Sequence, residues 1–137
     1  MSSRYLGLLD GKRGAYGVVF PDLPGCTAMG DTADHAYRNA IEAMRIWAQS
    51  AIEDGEALPK ARDMDALRAD PEVVESLRDG ASFIVVPLLL DSGRPARANI
   101  SIDRGLLEAI DEAAAERGLT RSAFLASAAR DKIQQRT

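Results

Sequence analysis

The sequence has few of the residues from which metal centres and nucleophilic enzymes are built. Among its 137 residues, Cys26 is the only cysteine and His35 is the only histidine. A chain with one cysteine forms no intrachain disulfide and no cysteine zinc cluster. A single histidine also disfavours a histidine-rich metal site and a Ser/His/Asp catalytic triad. We therefore expect neither a metal ion nor a cofactor.

Long apolar segments are missing as well. The chain has no run of 18 or more apolar residues, so we expect no membrane span. Residues 1–5 contain no apolar signal core and lead directly into a strand-like pattern, which predicts a cytoplasmic protein. Hydrophobic residues still make up 46% of the chain, which is normal for a globular fold.

The charge of −4 is unevenly distributed along the chain. Residues 1–93 contain nine Lys/Arg and fifteen Asp/Glu, a net charge of −6, whereas residues 94–137 contain eight and six, a net charge of +2. Small asymmetries of this kind also occur without a function. If the split is functional, it indicates two partners of opposite charge, one for each half of the chain.

The first ninety residues have the pattern β-β-β-α-β, which predicts an α+β fold. Asp10-Gly11 is a turn signal between the first two strands, and two prolines interrupt the chain before the third. Pro87 places the last strand at a sheet edge or a bulge. The predicted strands cover 4–9, 15–20, 26–30 and 82–90. The main helix is predicted from a cap at Asp31 or Thr32 to Asp54, with short helices at 64–67 and 71–77.

Residues 91–95 (Asp-Ser-Gly-Arg-Pro) are the best linker in the chain. We expect an N-terminal domain at 1–91, a linker at 92–95 and a C-terminal domain at 96–137. The C-terminal domain begins with an alternating stretch, 97–102, which predicts a strand. Two helices follow, one from Arg104 to about Arg117 and one capped by Thr120.

The strand at 97–102 has no neighbouring strand nearby in the sequence. It either completes the N-terminal sheet or pairs with the same strand of a second copy. About forty residues with one strand bury too little surface to be stable alone, which favours a homodimer. The predicted dimer core contains Ala98, Ile100, Ile102, Leu106, Ile110, Phe124 and Leu125.

In such a dimer, the polar face of the paired strands would lie in the DNA major groove. Arg97 can bind guanine, Asn99 can bind adenine, and Ser101 is a small donor or acceptor. The amides near Thr120, Arg121 and Ser122 would hold a phosphate. With the Gly-Leu-Thr-Arg-Ser turn at 118–122, this pattern resembles a ribbon-helix-helix repressor domain.

The N-terminal residues offer only weak candidates for catalysis. Cys26 and His35 could form a nucleophile and base, but a lone cysteine after a tight turn is more often a core residue. Four aspartates could be imagined as a metal cluster, although each has an ordinary role in a turn or cap. These are Asp10, Asp22, Asp31 and Asp34. We therefore expect no enzyme.

The stretch from Tyr16 to Cys26 (YGVVFPDLPGC), followed by Gly30-Asp31-Thr32, is similar to the hallmark of HicB antitoxins. The resemblance implies a degenerate ribonuclease-H-like N-terminal domain without catalytic activity. It also implies a small basic HicA-type toxin that cleaves messenger RNA as the partner, operator DNA as a second partner, and a homodimer or tetramer. The expected toxin contacts are Asp22, Leu23, Pro24 and Asp31.

Two other functions stay open at this stage. The first is a ribbon-helix-helix repressor whose N-terminal domain senses a small molecule. The second is an active nuclease or hydrolase built on the N-terminal domain, which would need carboxylates such as Asp10 or Asp22 for catalysis.

Overall fold

The computed structural model describes residues 4–90 and 95–135, and the chain divides into two compact units, residues 1–90 and 91–137. The first unit contains a four-stranded antiparallel sheet in the order β3-β2-β1-β4, so the predicted α+β class is confirmed. The strands are β1 (Arg4–Lys12), β2 (Ala15–Val19), β3 (Thr27–Gly30) and β4 (Ser82–Pro87).

The hairpin of β1 and β2 is confirmed, but its turn lies further along the chain than the Asp-Gly signal predicts. Gly11 pairs with Tyr16, and Lys12 with Ala15. The turn therefore consists of Arg13 and Gly14. Gly11 has φ of +110°, and a Cβ there would lie 3.1 Å from the carbonyl carbon of Ala15. A glycine is thus required inside the strand rather than in the turn.

Helix α1 (Ala33–Glu53) covers one face of the sheet. It begins where the sequence predicts, because Thr32 Oγ1 accepts a hydrogen bond from the His35 amide at 3.0 Å. Its apolar stripe packs on strand residues that point to the same face, since side chains alternate along a strand. The buried members of the stripe are Ala36, Tyr37, Ala40, Ile41, Met44, Ala48 and Ala51. The buried strand residues of this core include Tyr5, Val18 and Val86.

Helices α2 (Met64–Arg68) and α3 (Pro71–Arg78) contribute to a second core. Leu8, Leu67, Val73 and Ala81 are buried together there. Strand β4 lies at the sheet edge, as Pro87 predicts, and it ends at Pro87. The prediction that residues 82–90 form a buried strand is wrong, because β4 is shorter and Ser82 and Val85 are exposed.

The second unit contains α4 (Arg104–Glu116) and α5 (Arg121–Gln134). Asp103 caps α4, and Thr120 caps α5 by accepting from the Ala123 amide at 3.1 Å. Gly118, with φ of +67°, ends the first helix. Both helices match the sequence prediction because caps are local interactions. Within the described parts of the chain, no helix is long and apolar enough to cross a membrane.

The alternating stretch at 97–102 has no strand assignment in the single chain. The four strands that the structure describes in the N-terminal sheet all lie within residues 4–87. Pairing with a second copy stays a prediction. Most of the predicted linker lies outside the described residues, and only Pro95 is included.

Candidate functional site

The Asp22 carboxylate fastens the loop between β2 and β3 to the connector that follows α1. Its side chain is only 8% exposed, and it accepts from the Arg62 backbone amide at 2.8 Å and from Arg62 Nε at 2.7 Å. Arg62 Nη1 also donates to Asp70 at 3.1 Å. Hydrogen bonds from Arg62 and then from the Glu72 amide lower the pKa of Asp70. The negative charge of Asp22 is therefore paired with Arg62 inside the first unit.

Trp47 fixes the same loop to α1. Its indole Nε1 donates a hydrogen bond to the Pro24 carbonyl oxygen at 3.0 Å. The ring is partly buried and packs against the main core. It also lines an open surface groove, so one part of the side chain packs in the core while another part faces solvent.

The four predicted toxin contacts lie in different environments. Leu23 is buried and supports the loop from within the core, and Asp22 is bound to Arg62. Pro24 and Asp31 are exposed, although their carbonyl oxygens accept hydrogen bonds from Trp47 and Gly14. Only Pro24 and Asp31 therefore present surface to a partner while the loop keeps this conformation.

The open groove, which we call the α1 groove, lies between α1 and the residues that enter β3. It has a volume of about 540 Å³. Its lining comes from Gly25–Thr27, from Ala43, Ile46, Trp47, Ser50 and Ala51 on α1, and from Asp54 and Glu56 after the helix. The groove is apolar along the helix and acidic at the helix C-terminus.

The weak catalytic candidates of the N-terminal unit lack the required environments. Cys26 is buried, and its burial raises the pKa of the thiol to about 11, so it stays protonated at neutral pH. His35 is exposed in the first turn of α1. Within residues 4–90 and 95–135, no three His, Cys, Asp or Glu side chains are grouped to hold a metal ion.

In the second unit, the predicted DNA-contacting residues Arg97, Asn99 and Ser101 are all exposed. Thr120 caps α5 with its side chain. The first amides of an α-helix have no partner within the helix, so those of Arg121 and Ser122 are available to an anion. The Arg121 side chain instead binds Asp111 through two hydrogen bonds of 2.8 Å. Arg121 thus links α5 to α4, and its hydrogen bonds lower the pKa of Asp111.

The predicted dimer core is largely uncovered in the single chain. Ile110 is buried, and Phe124 and Leu125 are half-buried. By contrast, Ile100 is 64% exposed and Leu106 is 55% exposed. No residue of α5 is buried. The second unit therefore presents apolar surface that its own helices do not cover.

The α1 groove is a feature that sequence reasoning missed. The residue that could have indicated it is Ile46, because it is a large apolar residue outside the buried stripe of α1 and is 54% exposed. The other wall comes from Gly25–Thr27, and no local pattern connects that segment to the middle of a helix. A groove assembled from separate segments needs the tertiary structure to be seen.

Comparison with known proteins relates the chain to bacterial antitoxins. Residues 7–129 match the family described as HicB-like antitoxin of bacterial toxin-antitoxin systems. The chain is 33% identical over 97 residues to an uncharacterised 14.9 kDa protein from the rep-hol intergenic region of Haemophilus phage HP1. That alignment covers 71% of both proteins.

Two solved structures extend the comparison to three dimensions. The crystal structure of the antitoxin HicB from Burkholderia pseudomallei is 35% identical with a TM-score of 0.53, and the match covers 94% of this chain and 96% of that one. A chain of a HicA3 and HicB3 toxin-antitoxin complex is 25% identical with a TM-score of 0.50. That match covers 64% of this chain and 98% of the other.

Proposed function

The chain belongs to the HicB-like antitoxin family, and we propose that it neutralises a HicA-type toxin that cleaves messenger RNA and also represses its own operon. Members of this family are non-enzymatic regulators, so the chain acts by binding. A toxin that cleaves messenger RNA acts where the RNA is translated. The antitoxin therefore works in the cytoplasm.

Neutralisation is assigned to the N-terminal unit. The antitoxin role itself is supported by the family match over residues 7–129, together with the similarity to a chain of a toxin-antitoxin complex. The charge of −6 on residues 1–93 complements a protein whose surface must be basic to bind RNA. The antitoxin would cover that RNA-binding surface sterically and electrostatically.

Operator binding is assigned to a dimer of the C-terminal unit. The exposed apolar residues Ile100 and Leu106 support dimerisation, because a second copy would remove them from water. The two stretches at 97–102 would then pair antiparallel and enter the major groove with Arg97, Asn99 and Ser101. Arginine pairs with guanine and asparagine with adenine through two hydrogen bonds each.

Phosphate contacts would position the dimer on the operator. The N-terminus of α5 is the best candidate, because its first amides and its helix dipole attract anions. The net charge of +2 on residues 94–137 is small for a DNA-binding domain. Strong binding would therefore require two or more paired ribbons, which a tetramer of the full chain would supply.

A separation-of-function variant tests both assignments. In gel shifts at fixed salt, Arg97→Ala combined with Asn99→Ala should lower operator affinity about 100-fold or more, because base-specific hydrogen bonds are lost. Ser101→Ala should have a smaller effect. Rescue of growth during co-expression with the toxin should be unchanged for all of them.

Arg78→Ala is the matched control for the lost charge, because Arg78 is exposed in the N-terminal unit. Its operator affinity should lie within about twofold of that of the unmodified chain, because salt screens a charge far from the DNA. Operator affinity that is unchanged in the double variant would reject the ribbon assignment. Growth arrest that persists with the unmodified chain would reject the antitoxin assignment.

A further inference from the structure

The α1 groove has the size and lining of a site that receives a partner's side chains. It is open to solvent and has a volume of about 540 Å³. Ile46 is 54% exposed at the groove although it lies on a helix whose apolar stripe packs in the core. Burying such a side chain against a partner is favourable, because it removes apolar surface from water.

One end of the groove is strongly negative. Asp54 and Glu56 line it where α1 ends, and Glu53 is the last residue of the helix. The C-terminus of a helix carries the negative end of its dipole, and the last turn of α1 contains no basic residue to offset it. The lining residues include neither lysine nor arginine. The groove therefore favours an occupant that joins an apolar side chain to a positive charge.

The groove is also held open by the fold. The Trp47 indole donates to the Pro24 carbonyl oxygen at 3.0 Å, which fixes the loop wall against the helix wall. The amide of Cys26 donates to the Leu23 carbonyl oxygen at 3.0 Å within that loop. Such preformed walls lower the ordering cost of binding.

We propose that the α1 groove is the docking site for the toxin on this chain. An apolar side chain of the basic ribonuclease would insert between Ile46 and Trp47, and a neighbouring lysine or arginine would face Asp54 and Glu56. This inference rests on the proposed antitoxin function and adds the surface that performs it. The predicted contact at Pro24 adjoins this groove through its bond to Trp47, whereas the groove residues themselves are new.

The experiment compares two isoleucines on the same helix. Ile46 lines the groove, whereas Ile52 is 47% exposed on α1 and does not line it. Calorimetric titration of the full chain uses a HicA-type toxin in a catalytically inactive form. Ile46→Arg should weaken binding about 30-fold or more, which is typical of a central contact. Ile52→Arg should stay within about threefold.

A second pair of variants tests the charge. Asp54→Asn with Glu56→Gln should weaken binding about fivefold to tenfold and reduce its salt dependence, as expected for charges at an interface. Glu72→Gln with Glu75→Gln removes the same charge from α3, outside the groove. This pair should weaken binding by about threefold or less. Both isoleucine variants should keep the unmodified thermal midpoint within about 2 °C, since both positions are exposed.

The outcomes separate this inference from the function on which it rests. Tight toxin binding by the unmodified chain with equal affinity for Ile46→Arg would reject the groove and leave the antitoxin function standing. If the Ile46→Arg chain no longer sediments as an oligomer but binds the toxin with unchanged affinity, the groove is an interface with a second copy, and the proposal is rejected. Absence of toxin binding by the unmodified chain would reject both.

Discussion

Arg62 and Asp22 lie forty residues apart in the sequence, yet Arg62 Nε donates to the Asp22 carboxylate at 2.7 Å. The backbone amide of Arg62 donates to the same carboxylate at 2.8 Å. The contact joins the loop between β2 and β3 to the connector after α1. The loop that forms one wall of the α1 groove is therefore held by two long-range contacts, this one and the bond of Trp47 to Pro24.

Asp22→Asn should destabilise the N-terminal unit by about 1–2 kcal/mol. The amide keeps one acceptor oxygen but loses the charge that faces the guanidinium, and Arg62 is partly exposed, which limits the cost. Urea unfolding followed by the fluorescence of Trp47, the single tryptophan, measures this unit directly. Asp65→Asn on exposed α2 is the control, and equal midpoints for the two variants would contradict the structural role of Asp22.

The pH dependence of stability should reveal the Asp70–Arg62 pair. The pKa of Asp70 is lowered below its ordinary value of 3.8, chiefly by the hydrogen bond from Arg62. The carboxylate therefore stabilises the fold above that value, and this stabilisation is lost as pH falls through the lower, folded-state pKa. Asp70→Asn keeps an oxygen for the Glu72 amide but removes the charge.

The urea midpoint of Asp70→Asn should lie below that of the unmodified chain at pH 7. The two midpoints should converge as pH falls below 3.8. A difference that stays constant from pH 7 down to the acid range would mean that the charge of Asp70 contributes nothing. Glu75→Gln, on the helix that Asp70 caps, serves as the comparison at each pH.

Two glycines in neighbouring strands should differ strongly in how much alanine destabilises the fold. A Cβ at Gly30 would lie 2.8 Å from the His35 carbonyl carbon and even closer to the Ala36 amide nitrogen. Gly30→Ala should therefore force β3 away from α1 and cost about 1–3 kcal/mol. At Gly17 the nearest atom is the Ala28 carbonyl oxygen at 3.8 Å. Gly17→Ala should change stability by about 0.5 kcal/mol or less.

Thermal unfolding of the two alanine variants measures the difference. The Gly17 variant also controls for the change in backbone freedom, since both substitutions remove one glycine from a strand. Equal midpoints would contradict the close approach of β3 to the first turn of α1.

The dimer assignment predicts a specific effect of charge on α4. Leu106→Lys should convert the chain from dimer to monomer in sedimentation equilibrium, because it places an ammonium group in the core formed by two copies. Ala115→Lys, on the opposite side of α4, should leave the dimer intact. Sedimentation of the Leu106 variant as a dimer would contradict the assignment.

The sequence predicts the helices more accurately than the strands. Thr32, Asp103 and Thr120 cap helices where expected, because a cap depends on residues two or three positions away. The sequence places the turn of the first hairpin too early. Cross-strand hydrogen bonds extend the strand pairing to Lys12 and Ala15 and override the Asp-Gly signal. The exposure of Ser82 and Val85 on β4 depends on which parts of the sheet other elements cover, and a continuous apolar run does not encode that.

The sites show the same contrast. The exposure of Arg97, Asn99 and Ser101 agrees with a surface role. The burial of Leu23 is not visible in the motif, because Leu23 enters a core built by residues far away in the sequence. The α1 groove likewise requires the packing of a loop against a helix.

Titration of the purified chain into a messenger RNA cleavage reaction tests the antitoxin function most directly. With a HicA-type toxin at a concentration well above Kd, cleavage should fall linearly with added chain and stop at a fixed stoichiometric ratio. The Arg97→Ala and Asn99→Ala double variant should give the same titration curve, because toxin binding is assigned to the N-terminal unit. RNA cleavage that continues at full rate in the presence of excess chain would contradict the account.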